Sequence, residues 1–166
     1  MDETSPRFDL PLLAAGQAQK EVLHNEALAA LDLLVHSVAE TIGDDAPPAS
    51  PVEGQCWIVG TAPTGEWAGH AGALAGWTAA GWRFMAPVEG MAVWVRASGL
   101  LARRGTGDWA VGVLAGSALQ IGGEQVVGAR AAAIADPSGG ATVDTQARAA
   151  IAALLAALRT HGLIAG

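Results

Sequence analysis

Two stretches of the chain place their apolar residues at helical spacing, and the stretch between them breaks into short apolar runs bounded by glycine. From about Leu12 to Ile42 the positions Leu28, Leu31, Val35, Val38 and Ile42 follow 3-4-3-4 spacing, which predicts an amphipathic or coiled-coil helix with those residues on its seam. Gly43-Asp44-Asp45-Ala46-Pro47-Pro48 predicts its end, because glycine and proline both stop helices and the residue before proline avoids the helical region. The stretch to Pro51 reads as a linker. A second helix is predicted from about Val143 to His161, with Ala147, Ile151, Leu154, Leu158 and His161 again at heptad-like spacing. Thr142 or Asp144 suits its N-cap and Gly162 a left-handed C-terminal cap, after which Leu163 would pack back on Leu158.

Between the helices, strand-like runs occur near Gln55–Val59, Ala73–Thr78, Trp82–Ala86, Met91–Arg96 and Gly99–Ala102, with further ones near Trp109–Leu114 and Ala118–Ile121. Thr64-Gly65-Glu66-Trp67-Ala68 is echoed by Thr106-Gly107-Asp108-Trp109-Ala110, each reading as a turn that feeds a strand. The fold class expected is α+β, with an N-terminal helical region and linker over 1–51, a Trp/Gly-rich antiparallel β domain over 52–135, and a C-terminal loop and helix over 136–166. Two helices with heptad-like seams predict a self-associating bundle or coiled coil. The oligomerisation residues would be Leu28, Leu31, Val35, Val38, Ile42, Ile151, Leu154 and Leu158. Packing of both helices on the central sheet is the alternative.

Composition sharpens this. Of 166 residues, 37 are Ala and 22 are Gly, so large core formers are few and a core shared between copies is expected. The net charge is −7. It is concentrated before Gly54, where ten acids face Arg7 and Lys20, whereas six acids and seven arginines follow. That balance disfavours nucleic acid as a partner. No apolar run approaches the ~20 residues that cross a bilayer, so no membrane insertion is expected. Met1-Asp2-Glu3-Thr4 lacks the basic start of a secretory signal, which points to synthesis in the cytoplasm. The single cysteine, Cys56, excludes an intrachain disulfide and reads as a small buried hydrophobe.

No phosphate-binding loop, dinucleotide fingerprint, nucleophile elbow or zinc-ligand spacing is present, so no catalytic residue, metal or cofactor is expected. A polysaccharide-processing enzyme would need paired carboxylates, and Glu53, Glu66, Glu89, Asp108 and Glu124 are placed by no motif. Aromatic usage stands out instead: six Trp, two Phe and no Tyr. Indole offers a flat apolar face and one N–H donor, which suits sugar rings as well as partner side chains. Trp67, Trp77 and Trp109 lie beside glycine-rich turns and are expected to be partly exposed, whereas Trp57, Trp82 and Trp94 sit in strand-like runs and read as core. Alternation over Met91–Arg96 puts Trp94 and Arg96 on one face and Met91, Val93 and Val95 on the other. The candidate carbohydrate contacts are therefore Trp67, His70, Trp77, Trp94, Arg96 and Trp109.

The run from Leu10-Pro11-Leu12 through Gly16-Gln17-Ala18-Gln19-Lys20-Glu21-Val22 to His24-Asn25-Glu26-Ala27-Leu28 resembles the N-terminal signature of a domain-of-unknown-function family. That family occurs in tail-fibre and spike proteins of alphaproteobacterial prophages and gene transfer agents. The likeness continues in Trp57-Ile58-Val59-Gly60, Thr64-Gly65-Glu66-Trp67-Ala68-Gly69-His70, Gly81-Trp82-Arg83-Phe84 and Pro87-Val88-Glu89-Gly90, and in the ending from Gly122-Gly123 to Ile164. The resemblance implies a structural or adhesive component of a phage-like particle, with other tail, baseplate or capsid proteins as partners and a homotrimeric state. A virion location and attachment to host surface polysaccharide follow from the same resemblance. It implies no catalytic residues. A carbohydrate-binding module proper is the alternative function.

Overall fold

The computed structural model describes residues 20–165, which divide into two units after Val113. The first begins with helix α1, Lys20–Leu34. The part of the expected helix before Lys20, and the Leu10–Gln19 portion of the signature, lie outside the described residues. α1 stops well short of the expected end at Ile42. His36 adopts a left-handed φ of 52°, and the Ser37 hydroxyl donates to the carbonyls of Leu33 (2.8 Å) and Leu34 (3.1 Å), closing the last turn. Val38 and Ile42 therefore do not extend a helical seam. They belong to short strands β1 (Val38–Ala39) and β2 (Ile42–Asp44).

Two four-stranded sheets follow. In one, the order is β2-β3-β4-β5, with β3 at Cys56–Val59, β4 at Leu74–Thr78 and β5 at Gly81–Met85. In the other, β1 lies beside β6 (Ala92–Val95), then β7 (Leu100–Arg104) and β8 (Trp109–Val111). The central strands match the expected runs to within a few residues, and each sheet's core pairing is antiparallel as expected. The additions are β1 and β2, which join in parallel to β6 and β3. Parallel pairing comes from remote segments and leaves no hairpin turn to read.

Alternation decides what each strand buries. Cys56, Ile58 and Leu74 from one sheet meet Ala39, Val93, Val95 and Ala102 from the other, with Leu33 of α1, in a single core. Met91, Val93 and Val95 face inward, so of the two faces that alternation separates the Met/Val face is the buried one, and Trp94, expected in the core, points outward at 46% exposure. Within this unit α1 packs on the sheets through Ala30 and Leu33, not through the expected seam: Leu28, Leu31 and Val35 are exposed. A bidentate pair reinforces the contact, the Arg83 guanidinium on β5 donating to both Glu26 carboxylate oxygens at 2.6 and 2.7 Å. The helical region thus belongs to the same unit as the β domain, and Gly43-Asp44 is strand, not linker.

The second unit contains a hairpin of β9 (Leu119–Ile121) and β10 (Glu124–Val127) and then helix α2, Thr145–Thr160. Gly122 and Gly123 have φ of 60° and 87°, the two positive values that a two-residue type I′ turn requires. Asp144 caps α2 by accepting from the Ala147 N–H at 2.9 Å. At the other end Gly162 is left-handed, its N–H donating to the Arg159 carbonyl and that of Leu163 to the Leu158 carbonyl. Those two bonds make a Schellman cap. The hairpin and α2 fall in one unit, so the observed division lies well before the expected one at 135/136.

Candidate functional site

The outer face of the β2-β3-β4-β5 sheet carries a second cluster, and it is aromatic. Trp57 and Val59 on β3, Ala75 and Trp77 on β4, and Trp82 and Phe84 on β5 share this face by alternation. Register assembles them: Trp77 lies directly opposite Trp82, and Ala75 is flanked by Trp57 on one side and Phe84 on the other. The small Ala75 leaves space above the sheet centre, and Trp67 from the β3–β4 connection enters the same cluster with no exposed surface at all.

That connection is held by the end of β2. The Asp45 side chain accepts from the Ala62 N–H at 2.8 Å, and its carbonyl accepts from the Thr64 N–H (2.6 Å) and hydroxyl (3.0 Å). Asp45 is therefore a loop anchor. A one-turn 3-10 helix, Gly65–Trp67, then turns the Trp67 side chain down onto the sheet. The Thr64–Ala68 motif is thus a 3-10 turn, not the expected lead into a strand, whereas its echo does feed β8 at Trp109.

The rings interlock edge to face. Trp82 sits at the centre, 5.5 Å from Trp57, 5.4 Å from Trp67 and 5.0 Å from Trp77, with interplanar angles of 67–81°. Such geometry sets the positive edge of one ring against the negative face of the next. Phe84 lies 6.4 Å from Trp82 at 25°, and the His70 imidazole stacks flat on Phe84 at 3.7 Å and 4°. The Trp82 Nε1–H donates to Glu66 at 3.3 Å, while the Trp67 Nε1–H is buried without a partner among the described residues. Trp77, Trp82, Phe84 and His70 are all half-buried, so the cluster grades from a dry centre at Trp67 to a solvated aromatic row bordered by the Glu66 carboxylate.

Of the expected carbohydrate contacts, the structure brings His70 and Trp77 together on this face and separates the rest. Trp67 is core, not surface, because it fills the space over Ala75. Trp94 belongs to the other sheet, and Arg96, in the turn just after β6, approaches Glu40 at 3.7 Å. Trp109 is a brace: its Nε1–H donates to the Gly72 carbonyl at 2.9 Å. Trp82, Phe84 and Glu66 were not among the expected contacts. The signal for the first two was present as Trp82-Arg83-Phe84, aromatics at i and i+2 directly after a tight turn from Trp77.

Cys56 is buried on the inner face, where burial and then the Asp32 and Glu40 carboxylates push its thiol up to about 11. Among the described residues no three His, Cys, Asp or Glu side chains converge as metal ligands. The sequence matches a family model described as protein of unknown function (DUF2793) over residues 24–110, just over half of the chain. The match takes in most of α1, both sheets up to the start of β8, and the whole aromatic face. No curated protein matches the chain.

Proposed function

The chain belongs to the DUF2793 family of proteins of unknown function, and from that premise we propose that it is an adhesive, non-catalytic component of a phage-like particle that contacts polysaccharide on the host surface. The observation that carries this reading is the half-buried row of Trp77, Trp82, Phe84 and His70, arrayed on one sheet face beside the Glu66 carboxylate. Aromatic faces take the C–H faces of sugar rings, and a carboxylate accepts their hydroxyls. A rigid sheet holds these groups in place before binding, which lowers the ordering cost of gripping a flexible glycan. The N-terminal signature resembling fibre and spike proteins supports the particle context.

The test is a titration of the full chain with surface polysaccharide extracted from candidate host cells, followed by tryptophan fluorescence. Binding should shift the emission, and Trp77→Ala should weaken it at least tenfold while leaving the far-ultraviolet circular dichroism unchanged. An unshifted emission with every extract, or full binding by Trp77→Ala, refutes the reading.

A further inference from the structure

The two sheets meet through a single core, so the outer face of the β1-β6-β7-β8 sheet points away from the aromatic row. Alternation places Ala92 and Trp94 on β6, Leu101 and Arg103 on β7 and Ala110 on β8 on that face, and all five are exposed. Register sets Trp94 between Val38 on β1 and Leu101 on β7, an apolar strip across three strands. Two residues along, Arg103 lies between Ala92 and Ala110, so no large side chain rises beside it on either neighbouring strand. Past the other end of Trp94, Arg96 follows in the turn after β6, where its N–H still donates to the Ala39 carbonyl at 2.8 Å.

Charge on this face runs against that of the whole chain. Residues 91–111, which hold β6, β7 and β8, contain Arg96, Arg103 and Arg104 against one acid, Asp108, in a chain of net charge −7. Arg104 alternates to the inner side of its strand. Arg96 is answered loosely, by Glu40 at 3.7 Å, and keeps 65% of its side chain exposed. Arg103 forms no ion pair among the described residues. The face therefore combines an exposed indole with an unpaired guanidinium. Trp94 and Arg103 are diagonal neighbours across β6 and β7, about 7–8 Å apart, a distance that an arginine side chain spans.

We infer that this face is a second binding site, and that it takes an acidic saccharide whose ring rests on Trp94 while its carboxylate takes the Arg103 guanidinium. An indole accepts the C–H face of a sugar ring, and a guanidinium offers a carboxylate two parallel N–H donors. In a polymer of such sugars, another carboxylate meets Arg96 at the other end of the indole. An acidic peptide would gain nothing from the backbone here, because this is the pleated face of the sheet and its N–H and C=O groups are spent on the ladders. The aromatic row carries the Glu66 carboxylate where this face carries Arg103, so the two faces differ in the charge they select. The two sites share no residue, and each reading survives the failure of the other.

Calorimetric titration of the full chain with oligogalacturonate, oligomannuronate and the fully methyl-esterified form of each tests it. The wild type should bind at least one of the acids. Esterification keeps the ring and removes the charge, and it should weaken that binding about tenfold or more. Arg103→Gln and Trp94→Ala should each cause a similar loss with unchanged far-ultraviolet circular dichroism, because both side chains are exposed. Trp77→Ala, on the opposite sheet, should bind the acid as the wild type does. The inference is overturned if neither acid binds, if acid and ester bind alike, or if Arg103→Gln keeps full affinity. Loss of acid binding in Trp77→Ala also overturns it, by placing the contact on the aromatic row. So does a polyglutamate peptide that binds as tightly and depends equally on Trp94 and Arg103, which would make the face a contact for acidic protein.

Discussion

Gly76 on β4 faces Leu33 of α1, and the closeness of that approach makes a quantitative prediction. A β-carbon built at Gly76 would overlap both Leu33 δ-carbons and lie 3.0 Å from the γ-carbon. Leu33 is 4% exposed and packed with Ile58, Leu74 and Val93, so it has little room to move aside. Gly76→Ala should therefore lift α1 off the sheet and cost about 1–3 kcal/mol as overpacking. Leu33→Ala removes the same side chain from the other direction and should cost about 2–5 kcal/mol, as transfer loss plus a cavity. In the double variant the methyl group introduced on β4 enters the space that Leu33 vacated, so the clash disappears and part of the void is filled. The combined loss should be smaller than the sum by about 1 kcal/mol or more. Urea unfolding followed by tryptophan fluorescence reads this directly, since all six indoles lie in the same unit as the contact. Losses that add to within about 0.5 kcal/mol would refute the close approach of α1 to β4.

The Glu26–Arg83 pair should make stability depend on pH. Hydrogen bonding from Arg83 lowers the Glu26 pKa, so its contribution is present above the ordinary carboxylate range and fades as pH falls through the depressed value. Both side chains are partly solvated, so the difference between wild type and Glu26→Gln should be about 1 kcal/mol at most at neutral pH and should vanish in acid. Equal pH dependence of the two proteins would contradict this. Cys56, with its thiol pushed up to about 11, should resist a thiol-reactive dye at neutral pH until denaturant is added, and rapid labelling of the native chain would count against its burial. Asp144→Ala should remove the α2 cap and cost about 1 kcal/mol of helix stability, seen as a lower helical signal by circular dichroism, whereas Asp144→Asn should retain most of it.

Much of the local structure was legible in the residues themselves. Strands β3 to β9, the start of α2 at its Asp144 cap and its end at Gly162 are written in short-range chemistry: alternation, glycine turns, and side chains that satisfy orphan backbone groups. Period two separated the two faces of β6, and the structure decided that the Val93/Val95 face is the inward one. Other features required the tertiary structure, because their causes are remote in sequence. Val38 and Ile42 kept helical spacing yet became strands, since β6 and β3 offered parallel edges and Ser37 closed the helix before them. The aromatic face depended on register, which set Trp77 against Trp82 and left a gap over Ala75 for Trp67 to bury itself. A tryptophan beside a glycine turn looks exposed in one dimension; whether it is covered depends on what lies across the sheet. In the same way, the spacing of Ile151, Leu154 and Leu158 announced an apolar stripe on α2. Only the structure showed that α2 turns Leu155 inward and leaves Ile151 and Leu154 exposed on the flank beside it.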